Sequence, residues 1–356
     1  MQDQRTRYGP ALMQAVAFQA PYEVAVVDKP EPELEAPDDA VVRIAATGVC
    51  GSDLHIFHGR VQIEPGFTIG HEYVGEVVAA GDGVTSVAVG DRVLGCFQVA
   101  CGTCFFCRRG NYHKCDGSRT FGHGATLGSL QGTQAELALV PHANLTLRKV
   151  PEGLDDDVAL FAGDVMGTAY HATQVVRPGD SVAVLGLGPV GLSAVQTAFV
   201  AGAAQVVAVD SVEARLDMAR QFGATAVHLT EQDPRAEVRT LTGGRGVDVA
   251  VEAVGDPRAL ESAIRLTSKA GIVTVIGVYA ERCEVHMGLT WIKSLQIHTG
   301  QANVIGHLDA VLALLAGGRI DPAPLVTHHM ALADAPEAYA LYDKREALKI
   351  VLTPGG

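Results

Sequence analysis

The sequence predicts an α/β protein in which a β-barrel domain accompanies a doubly wound parallel sheet. From Met13 to about Val150, short runs rich in Val, Ala and Leu are separated by Gly, Asp and Pro, which is typical of short strands joined by turns. From Ser181 on, strand-like runs without polar alternation are each followed by a helical segment, as expected of parallel strands buried on both faces. The 356 residues are enough for two such domains.

The charge and hydropathy of the chain narrow its possible partners. The net charge of −13 argues against nucleic acid and anionic membrane surfaces, since both require a basic face. No apolar run approaches the roughly 18 residues of a membrane span, and the N-terminus lacks the apolar core of a signal peptide. We therefore expect a soluble, cytoplasmic protein, and the net charge by itself does not identify its partner. Residues 1–12 are polar and aperiodic, and they are predicted to be a loose leader.

The barrel domain is predicted from short apolar runs that open with Met13. Strands are expected at 41–49, 73–81, 91–99 and 135–140, and a strand-turn-strand unit is expected within 81–93. After Leu154 the pattern changes, because residues 155–173 carry apolar side chains at helical spacing behind three acidic residues that suit a helix N-terminus.

The parallel sheet is predicted from alternating strands and helices. Strands are expected at 181–188, 205–210, 247–255 and 271–279, and helices at 189–203, 213–224 and 256–267. The last part of the chain is predicted to contain helices at 308–318 and 334–344 and a terminal strand at 348–353.

A glycine-rich turn joins the first strand of this sheet to its helix. The motif reads Gly186-Leu187-Gly188-Pro189-Val190-Gly191, and it stands in the strand-turn-helix context that a dinucleotide-binding loop requires. Gly186 permits the tight turn, Gly188 lets the backbone approach a pyrophosphate, and Gly191 lets the helix pack on the strand. The helix N-terminus then faces the phosphates.

The next strand ends in an acidic residue that bears on cofactor choice. Asp210 follows Gly191 by nineteen residues, where a carboxylate accepts hydrogen bonds from the ribose hydroxyls and repels a 2′-phosphate. The sequence therefore predicts NAD rather than NADP. Arg215 lies five residues beyond Asp210 and leaves some tolerance of NADP open.

Four of the seven cysteines lie within fifteen residues of one another. They form the pattern Cys101-x2-Cys104-x2-Cys107-x7-Cys115. Four thiolates close a tetrahedral zinc site without an open position, so this pattern predicts a structural zinc in a lobe of about residues 96–120. Disulfides or free thiols are the alternative, and the odd number of cysteines in a cytosolic chain favours metal.

A second group of metal-binding residue types lies between Val49 and Glu72. Cys50 and His71 suit zinc by softness, and a catalytic zinc needs three protein ligands and one open position. The third ligand must come from elsewhere in the chain. A buried thiol and a loop histidine without metal remain the alternative for this pair.

The two cysteine-containing motifs followed by a dinucleotide-binding unit resemble the zinc-dependent medium-chain alcohol dehydrogenases over nearly the whole chain from Met13. The resemblance implies a GroES-like catalytic domain (13–165 and 308–356) with a Rossmann domain (166–307) inserted into it. It also implies two zinc ions per chain, with hydride passing from a zinc-bound alcohol to nicotinamide.

The same resemblance assigns roles to single residues. It places the third zinc ligand at Asp164, as in bacterial secondary alcohol dehydrogenases and the formaldehyde dehydrogenase and dismutase branch. Ser52 and His55 match the residues that carry the alcohol proton to solvent, and Asp53 matches the carboxylate that orients His71. Other matches are Glu72 as a transient zinc ligand, Thr168, Ile276 and Val278 beside the nicotinamide, Lys349 near the pyrophosphate, and Phe97 on the substrate pocket wall.

We therefore expect an NAD-dependent zinc alcohol dehydrogenase that acts on a small alcohol or aldehyde. The alternatives are an enzyme that retains NAD and dismutates an aldehyde, and a nucleotide-binding protein without catalysis. Family resemblance also implies a homo-oligomer, a tetramer in preference to a dimer, joined partly near 271–279. Whether His58, His123 and Trp291 reach the pocket is left open, and Cys96 and Cys283 are assigned to packing.

Overall fold

The computed structural model describes residues 11–279 and 282–355, and the chain divides into two compact units. The first unit contains the described residues up to Asp164, Val304–Leu312 and the stretch from Ala323 onward. The second unit contains Val165–Asn303 and Ala313–Pro322. Of the predicted leader, only Ala11 and Leu12 are within the described residues, and Leu12 already begins the first strand.

The elements are named here in chain order. Up to Asp164 they are β1 (Leu12–Ala20), β2 (Glu23–Pro30), β3 (Ala40–Val49), α1 (Gly51–Phe57), β4 (Glu72–Ala80), β5 (Arg92–Gly95), β6 (Gln98–Val99), β7 (Arg119–Thr120), β8 (Leu137–Val140), α2 (Ala143–Thr146), β9 (Leu147–Lys149) and α3 (Asp156–Leu160). From Val165 to Asn303 they are α4 (Val165–Thr173), β10 (Ser181–Leu185), α5 (Pro189–Val200), β11 (Gln205–Asp210), α6 (Glu213–Gln221), β12 (Thr225–His228), α7 (Pro234–Leu241), β13 (Val247–Glu252), α8 (Pro257–Leu266), β14 (Thr267–Val275), α9 (Met287–Lys293) and β15 (Gln296–Thr299). The remainder forms α10 (Val304–Ala316), β16 (His328–Ala331), α11 (Ala335–Asp343) and β17 (Ile350–Thr353).

A seven-stranded sheet forms the frame of the first unit. Its order is β16-β17-β3-β4-β5-β9, with β8 also paired to β3, so β3 lies at its centre. Pairs within it are antiparallel except β16 with β17. The terminal strand β17 lies beside β3 because Ile350 pairs with Val49, which brings the end of the chain to the residue before Cys50.

One predicted strand of this unit is wrong. Residues 81–91 form turns in place of the first strand expected within 81–93. The backbone N–H groups of Thr85 and Ser86 donate to the side-chain oxygen of Asn144, and that of Ala88 donates to Asp91. Because side chains satisfy these donors, the segment needs no partner strand.

The second unit confirms the predicted doubly wound sheet. Its order is β12-β11-β10-β13-β14-β15, and all pairs are parallel. Numbered along the chain this is 3-2-1-4-5-6, the order of a dinucleotide-binding fold, in which the chain reverses beside the first strand. The glycine loop 186–191 follows that first strand, β10, at the point where ligands bind in such sheets.

The predicted helical segment 155–173 is interrupted, and this is a correction with a functional consequence. Helix α3 ends at Leu160, a 3₁₀ turn covers Phe161–Gly163, and Asp164 has the non-helical angles φ −149° and ψ −80°. The carbonyl oxygen of Gly163 accepts a hydrogen bond from Phe97 N at 3.1 Å. A Cβ at Gly163 would lie 2.2 Å from the carbonyl oxygen of Gly95. The break therefore depends on close packing against the chain near Gly95, and it turns Asp164 out of the helical path.

Among the described residues, no helix combines the length and the apolar character needed to cross a membrane. The longest, α10, has 13 residues.

The glycine loop generates a stability prediction. Gly191→Ala should lower the free energy of unfolding by about 1–3 kcal/mol, the usual cost of overpacking, because its Cβ would lie 1.8 Å from the carbonyl oxygen of Gly186. Chemical denaturation measures this change. Gly188→Ala is the matched control, since Gly188 has φ −67° and no atom within 4 Å of an added Cβ. Equal stability of the two variants would contradict the packing role of Gly191.

Candidate active site

Helix α1 begins at the end of the central strand and holds three of the candidate residues together. Strand β3 ends at Val49, and Cys50 is the N-cap of α1 with extended angles. The backbone N–H of Cys50 donates to Oδ2 of Asp53 at 3.0 Å. This contact closes the first turn, so that Cys50, Ser52 and Asp53 keep fixed relative positions.

The loop that carries His71 is braced by a neighbouring segment. Gly132 N donates to the carbonyl oxygen of Thr68, Thr133 N to that of Gly70, and Gln134 N to that of Ile69, at 2.9–3.0 Å. Gly70 has φ +90°, a conformation that favours glycine. The chain then enters β4 at Glu72, directly after His71.

Four potential ligand atoms converge where these segments meet. Sγ of Cys50 and Nε2 of His71 each lie 3.3 Å from Oδ2 of Asp164. One ligand atom each from Cys50, His71, Glu72 and Asp164 lies within 4.8 Å of all the others. Cys50, His71 and Glu72 are buried, and the Asp164 side chain is 13% exposed. The structure thus brings Asp164, from the helix break, to the pair identified near the N-terminus.

The electrostatics of this cluster suit a cation. Burial, then the charges of Asp164 and Glu72, raise the pKa of Cys50 to about 11. Burial opposes ionisation of Asp164, but the hydrogen bond and charge of His71 lower its pKa to about 2. Burial also disfavours a charged His71, yet Asp53 and Asp164 raise its pKa overall. A divalent ion would take the place of the protons on the thiol and the imidazole, so the sulfur, nitrogen and oxygen donors fit zinc.

Glu72, the fourth member of this cluster, also forms a buried ion pair. Its Oε2 accepts from Nζ of Lys349, which also donates to the carbonyl oxygen of Val49 at 3.2 Å. Neither side chain is appreciably exposed. Oε1 of Glu72 has no hydrogen-bond partner among the described residues. Lys349 therefore neutralises one carboxylate of the cluster. Its predicted contact with a pyrophosphate stays a prediction.

Ser52 and His55 share a face of helix α1. Oγ of Ser52 lies 3.2 Å from Nε2 of His71. His55 follows three residues later and is half-buried. Burial, then the charges of Arg60 and His58, lower the pKa of His55. A neutral imidazole that is partly exposed can accept a proton and return it to solvent.

The four-cysteine lobe forms a separate cluster. The Sγ atoms of Cys101, Cys104, Cys107 and Cys115 all lie within 4.8 Å of one another, and none of them is in a disulfide. The N–H and hydroxyl of Thr103 lower the pKa of Cys101 to about 6. Burial raises the pKa of Cys107 to about 12 and also raises that of Cys115, so the fit to a metal depends on the geometry. Four convergent sulfur atoms outside any disulfide fit a closed tetrahedral zinc site and do not support the alternative of disulfides.

Several of the predicted cofactor residues lie at or just after the carboxyl ends of strands of the parallel sheet. Oδ2 of Asp210 accepts from Leu187 N at 2.7 Å, and Oδ1 accepts from Ser211 N and Val212 N. Asp210 therefore fastens the glycine loop in addition to its predicted ribose contact. Gly186 has φ +86°, as its predicted turn requires, and Arg215 lies 3.9 Å from Asp210. Thr168 is half-buried on α4, Pro189 and Val190 open α5, and Ile276 and Val278 follow β14.

The sequence left open whether three further side chains reach the pocket, and the structure places only one of them beside the cluster. The ring centroid of His123 lies 5.2 Å from that of His71, and Phe97 lies 6.3 Å from it, so both line the cluster. His58 instead pairs with Asp343 at 2.6 Å, and Trp291 is 80% exposed in the second unit. Cys96 is fully buried, in agreement with a packing role.

Sequence reasoning missed a polar side chain that joins two loops of the second unit. Glu252 ends β13 and accepts from Val254 N and Gly255 N at 2.7 and 2.9 Å. The hydroxyl of Tyr279 donates to the same carboxylate at 3.1 Å. A fully buried acid at the carboxyl end of a parallel strand was the available signal, because such a group must find partners in the adjacent loops.

Comparison with known families gives two matches. Residues 36–152 match the family Alcohol dehydrogenase GroES-like domain, and residues 189–315 match the family Zinc-binding dehydrogenase. An alcohol dehydrogenase of Cupriavidus necator (strain ATCC 17699) is 34% identical over 365 residues, which cover 97% of this chain and 99% of that protein.

Solved structures of similar proteins support the same comparison. Alcohol dehydrogenase TADH from Thermus sp. ATN1 has a TM-score of 0.93 and 43% identity, covering 96% of this chain and 100% of that one. An alcohol dehydrogenase from E. coli CFT073 complexed with NADH has a TM-score of 0.86 and 29% identity, covering 96% and 99% of the two chains. A zinc-binding dehydrogenase from Sinorhizobium meliloti 1021 bound to NADP has a TM-score of 0.85 and 28% identity, covering 97% and 100%.

The four-cysteine cluster generates a metal-content prediction. Cys107→Ser should lower the zinc content by one ion per chain and reduce the melting temperature, because a tetrahedral site loses a ligand and metal binding contributes to folding. Elemental analysis of the purified protein measures the loss. Cys283→Ser is the control, since Cys283 belongs to neither ligand cluster. Unchanged zinc content in Cys107→Ser would show that the lobe holds no metal.

Proposed function

The chain belongs to the zinc-dependent medium-chain alcohol dehydrogenase family, and on this premise we propose that it oxidises a small alcohol to an aldehyde or ketone by reversible hydride transfer to NAD. The observation that carries the proposal is the convergence of Cys50, His71 and Asp164 in one largely buried cluster. A thiolate, an imidazole and a carboxylate leave one position of a tetrahedral zinc open, as a catalytic site requires.

The three residues would hold the metal, and Glu72 lies close enough to join them. When bound there, a zinc ion supplies Lewis-acid chemistry that draws charge from a substrate oxygen and lowers the pKa of the alcohol. Cys50 and Asp164 contribute negative charge to the site, and His71 contributes a neutral donor. Lys349 offsets the charge of Glu72, so that the site does not accumulate three uncompensated anions.

Ser52 and His55 are proposed to remove the alcohol proton. The hydroxyl of Ser52 is adjacent to the cluster through its 3.2 Å contact with His71. A hydroxyl accepts a proton while it donates its own, so a further acceptor is needed on the same face of the helix. His55 occupies that face, is half-buried, and has a lowered pKa that keeps it neutral near pH 7.

NAD is proposed as the cofactor because of the negative charge at Asp210. The related structures contain both NADH and NADP, so they do not favour either form for this chain. Asp210 ends β11 with its carboxylate directed to the glycine loop, where it would repel a 2′-phosphate. Arg215 is 3.9 Å from Asp210, and this partial neutralisation leaves measurable use of NADP open.

A cytoplasmic homo-oligomer, with a tetramer favoured over a dimer, is proposed as the working form. Residues 271–275 of the predicted contact segment lie in β14, which is inside the sheet, whereas β15 is the outer strand. Next to β15 along the chain, Met287, Trp291 and Ile292 are exposed by 66–80%. An outer strand with exposed large apolar side chains nearby in the sequence is typical of a subunit interface.

The reaction is tested with zinc-loaded protein, NAD or NADP, and a panel of alcohols. The panel contains short primary alcohols, secondary alcohols, vicinal diols, polyols and hydrated formaldehyde, and cofactor reduction is followed by absorbance. We expect one class to give a clearly higher kcat/KM, with NAD preferred over NADP. Equal formation of acid and alcohol from an aldehyde, without net cofactor reduction, would contradict the proposal and indicate a dismutase.

An aspartate pair provides the matched variants for this assay. Asp164→Ala should reduce kcat/KM by at least about 100-fold and remove one zinc ion, because the catalytic site loses a ligand. Asp157→Ala should retain activity, since Asp157 lies seven residues earlier and pairs with His329 at the surface. Full activity of Asp164→Ala would exclude Asp164 from the metal centre.

A further inference from the structure

His71 has a single polar partner on the side of its ring away from the cluster. Its Nδ1 lies 3.1 Å from Oδ1 of Asp53, and both atoms are buried without any other hydrogen-bond partner in the part of the chain that the structure describes. A neutral imidazole that binds metal through Nε2 carries its proton on Nδ1. The position of Asp53 therefore decides how the His71 ring is held.

The other oxygen of Asp53 belongs to a buried chain of hydrogen bonds. Oδ2 accepts from Cys50 N at 3.0 Å and from Nε2 of Gln134 at 3.4 Å. The same Gln134 nitrogen donates to the carbonyl oxygen of Gly48 at 3.0 Å, and Oε1 of Gln134 accepts from the hydroxyl of Tyr339 at 2.9 Å. Gln134 and Tyr339 are fully buried.

Only one orientation of the Gln134 amide satisfies these groups. The Asp53 carboxylate and the Gly48 carbonyl can only accept, so the amide nitrogen must face them. The amide oxygen then faces Tyr339, whose hydroxyl must donate. Burial raises the pKa of Tyr339, which keeps the phenol protonated. A reversed amide would place its oxygen against the Asp53 carboxylate and the Gly48 carbonyl. Two buried acceptors would then lack a donor, which destabilises a buried network.

Packing fixes the backbone of Gln134 as well. Its N–H donates to Ile69 O at 3.0 Å, and its carbonyl oxygen accepts from Val16 N at 2.8 Å. A Cβ at Gly70 would lie 2.3 Å from Cγ of Gln134, so the side chain fills the space that glycine leaves. Tyr339 reaches this point from α11, 205 residues further along the chain.

We propose that Gln134 and Tyr339 are positioning residues that act through Asp53 to hold the His71 ring with Nε2 toward the metal. Tyr339 sets the orientation of the Gln134 amide, and Gln134 secures the Asp53 carboxylate. The inference rests on the proposed metal centre. It assigns to the C-terminal helix a part in metal binding, although that helix contributes no ligand to the cluster.

The test measures zinc release from the holoenzyme into a chromogenic chelator at fixed pH. Partners of a metal-binding histidine affect metal affinity by 10- to 100-fold, so Gln134→Met should accelerate release from the catalytic site about 10-fold. Tyr339→Phe removes one hydrogen bond, which acts on Asp53 only through Gln134, so the rate of zinc release should rise about threefold. The four-cysteine site of the same molecule is the internal reference, and its release should not change.

Two further variants separate positioning from core packing. Because the Tyr339 hydroxyl acts through the amide, adding Tyr339→Phe to Gln134→Met should not accelerate release further, whereas independent packing effects would multiply. Tyr73→Phe is the matched control, since Tyr73 is equally buried and its hydroxyl has no hydrogen-bond partner among the described residues. Its zinc release should match that of the unaltered protein. Tyr339→Phe keeps the ring packed 5.5 Å from Phe57, so it remains informative even if Gln134→Met does not fold.

The outcomes distinguish this inference from the proposed function. If the unaltered protein holds two zinc ions and all the variants release zinc at the same rates as the unaltered protein, the positioning role is excluded and the metal centre stands. The inference is also wrong if the two substitutions multiply each other's effect on the rate of zinc release. It is equally wrong if Tyr73→Phe accelerates zinc release as much as Tyr339→Phe does. If the unaltered protein holds only the four-cysteine zinc, the metal centre itself is absent and both proposals fail.

Discussion

The first unit depends on one electrostatic constraint, the approach of a thiol and an imidazole to a single oxygen of Asp164. Sγ of Cys50 and Nε2 of His71 are both 3.3 Å from this oxygen, in a largely buried place that also contains Glu72. Carboxylates and a thiolate repel one another when they are removed from water, so such a group is stable only when protons or a cation compensate it. Lys349 compensates Glu72. A divalent metal fits the remaining three donors. It would replace the repulsion among them by attraction to the cation, so that metal binding stabilises the fold.

The fold meets this constraint with elements distant in sequence. The central strand β3 delivers Cys50, the adjacent strand β4 follows His71, and the terminal strand β17 follows Lys349. Asp164 arrives from a helix that is broken just before it. In the second unit, one carboxylate likewise has two roles. Asp210 accepts a hydrogen bond from the glycine loop and is also expected to select the cofactor. In both units, side chains proposed for chemistry also hold backbone in place.

Much of this arrangement could be predicted because it is local. The strand-glycine-helix order, the four-cysteine spacing and the Cys50–His71 pair are visible in short stretches. The α/β class followed from the alternation of strand-like and helical runs, which is also a local pattern. Asp164 was found by family resemblance, whereas its geometry depends on a helix break that the apolar spacing of 155–173 conceals. Pairing of Gln134 with Tyr339 depends on residues 205 positions apart, and no local pattern indicates it. Helix α7 was not predicted, although Asp233 and Pro234 are typical of a helix N-terminus. Strand β12 was not predicted either, because its four residues are too few to show a pattern.

The central claim is that Cys50, His71 and Asp164 hold a zinc ion separate from the zinc of the four cysteines. Diffraction from crystals of the purified protein, recorded on both sides of the zinc absorption edge, tests it most directly. We expect two anomalous peaks per chain, one for each ligand cluster, with the first bound by Sγ of Cys50, Nε2 of His71 and a carboxylate oxygen of Asp164. A single peak within the four-cysteine lobe, or a first peak from which the Asp164 carboxylate is turned away, would contradict the account.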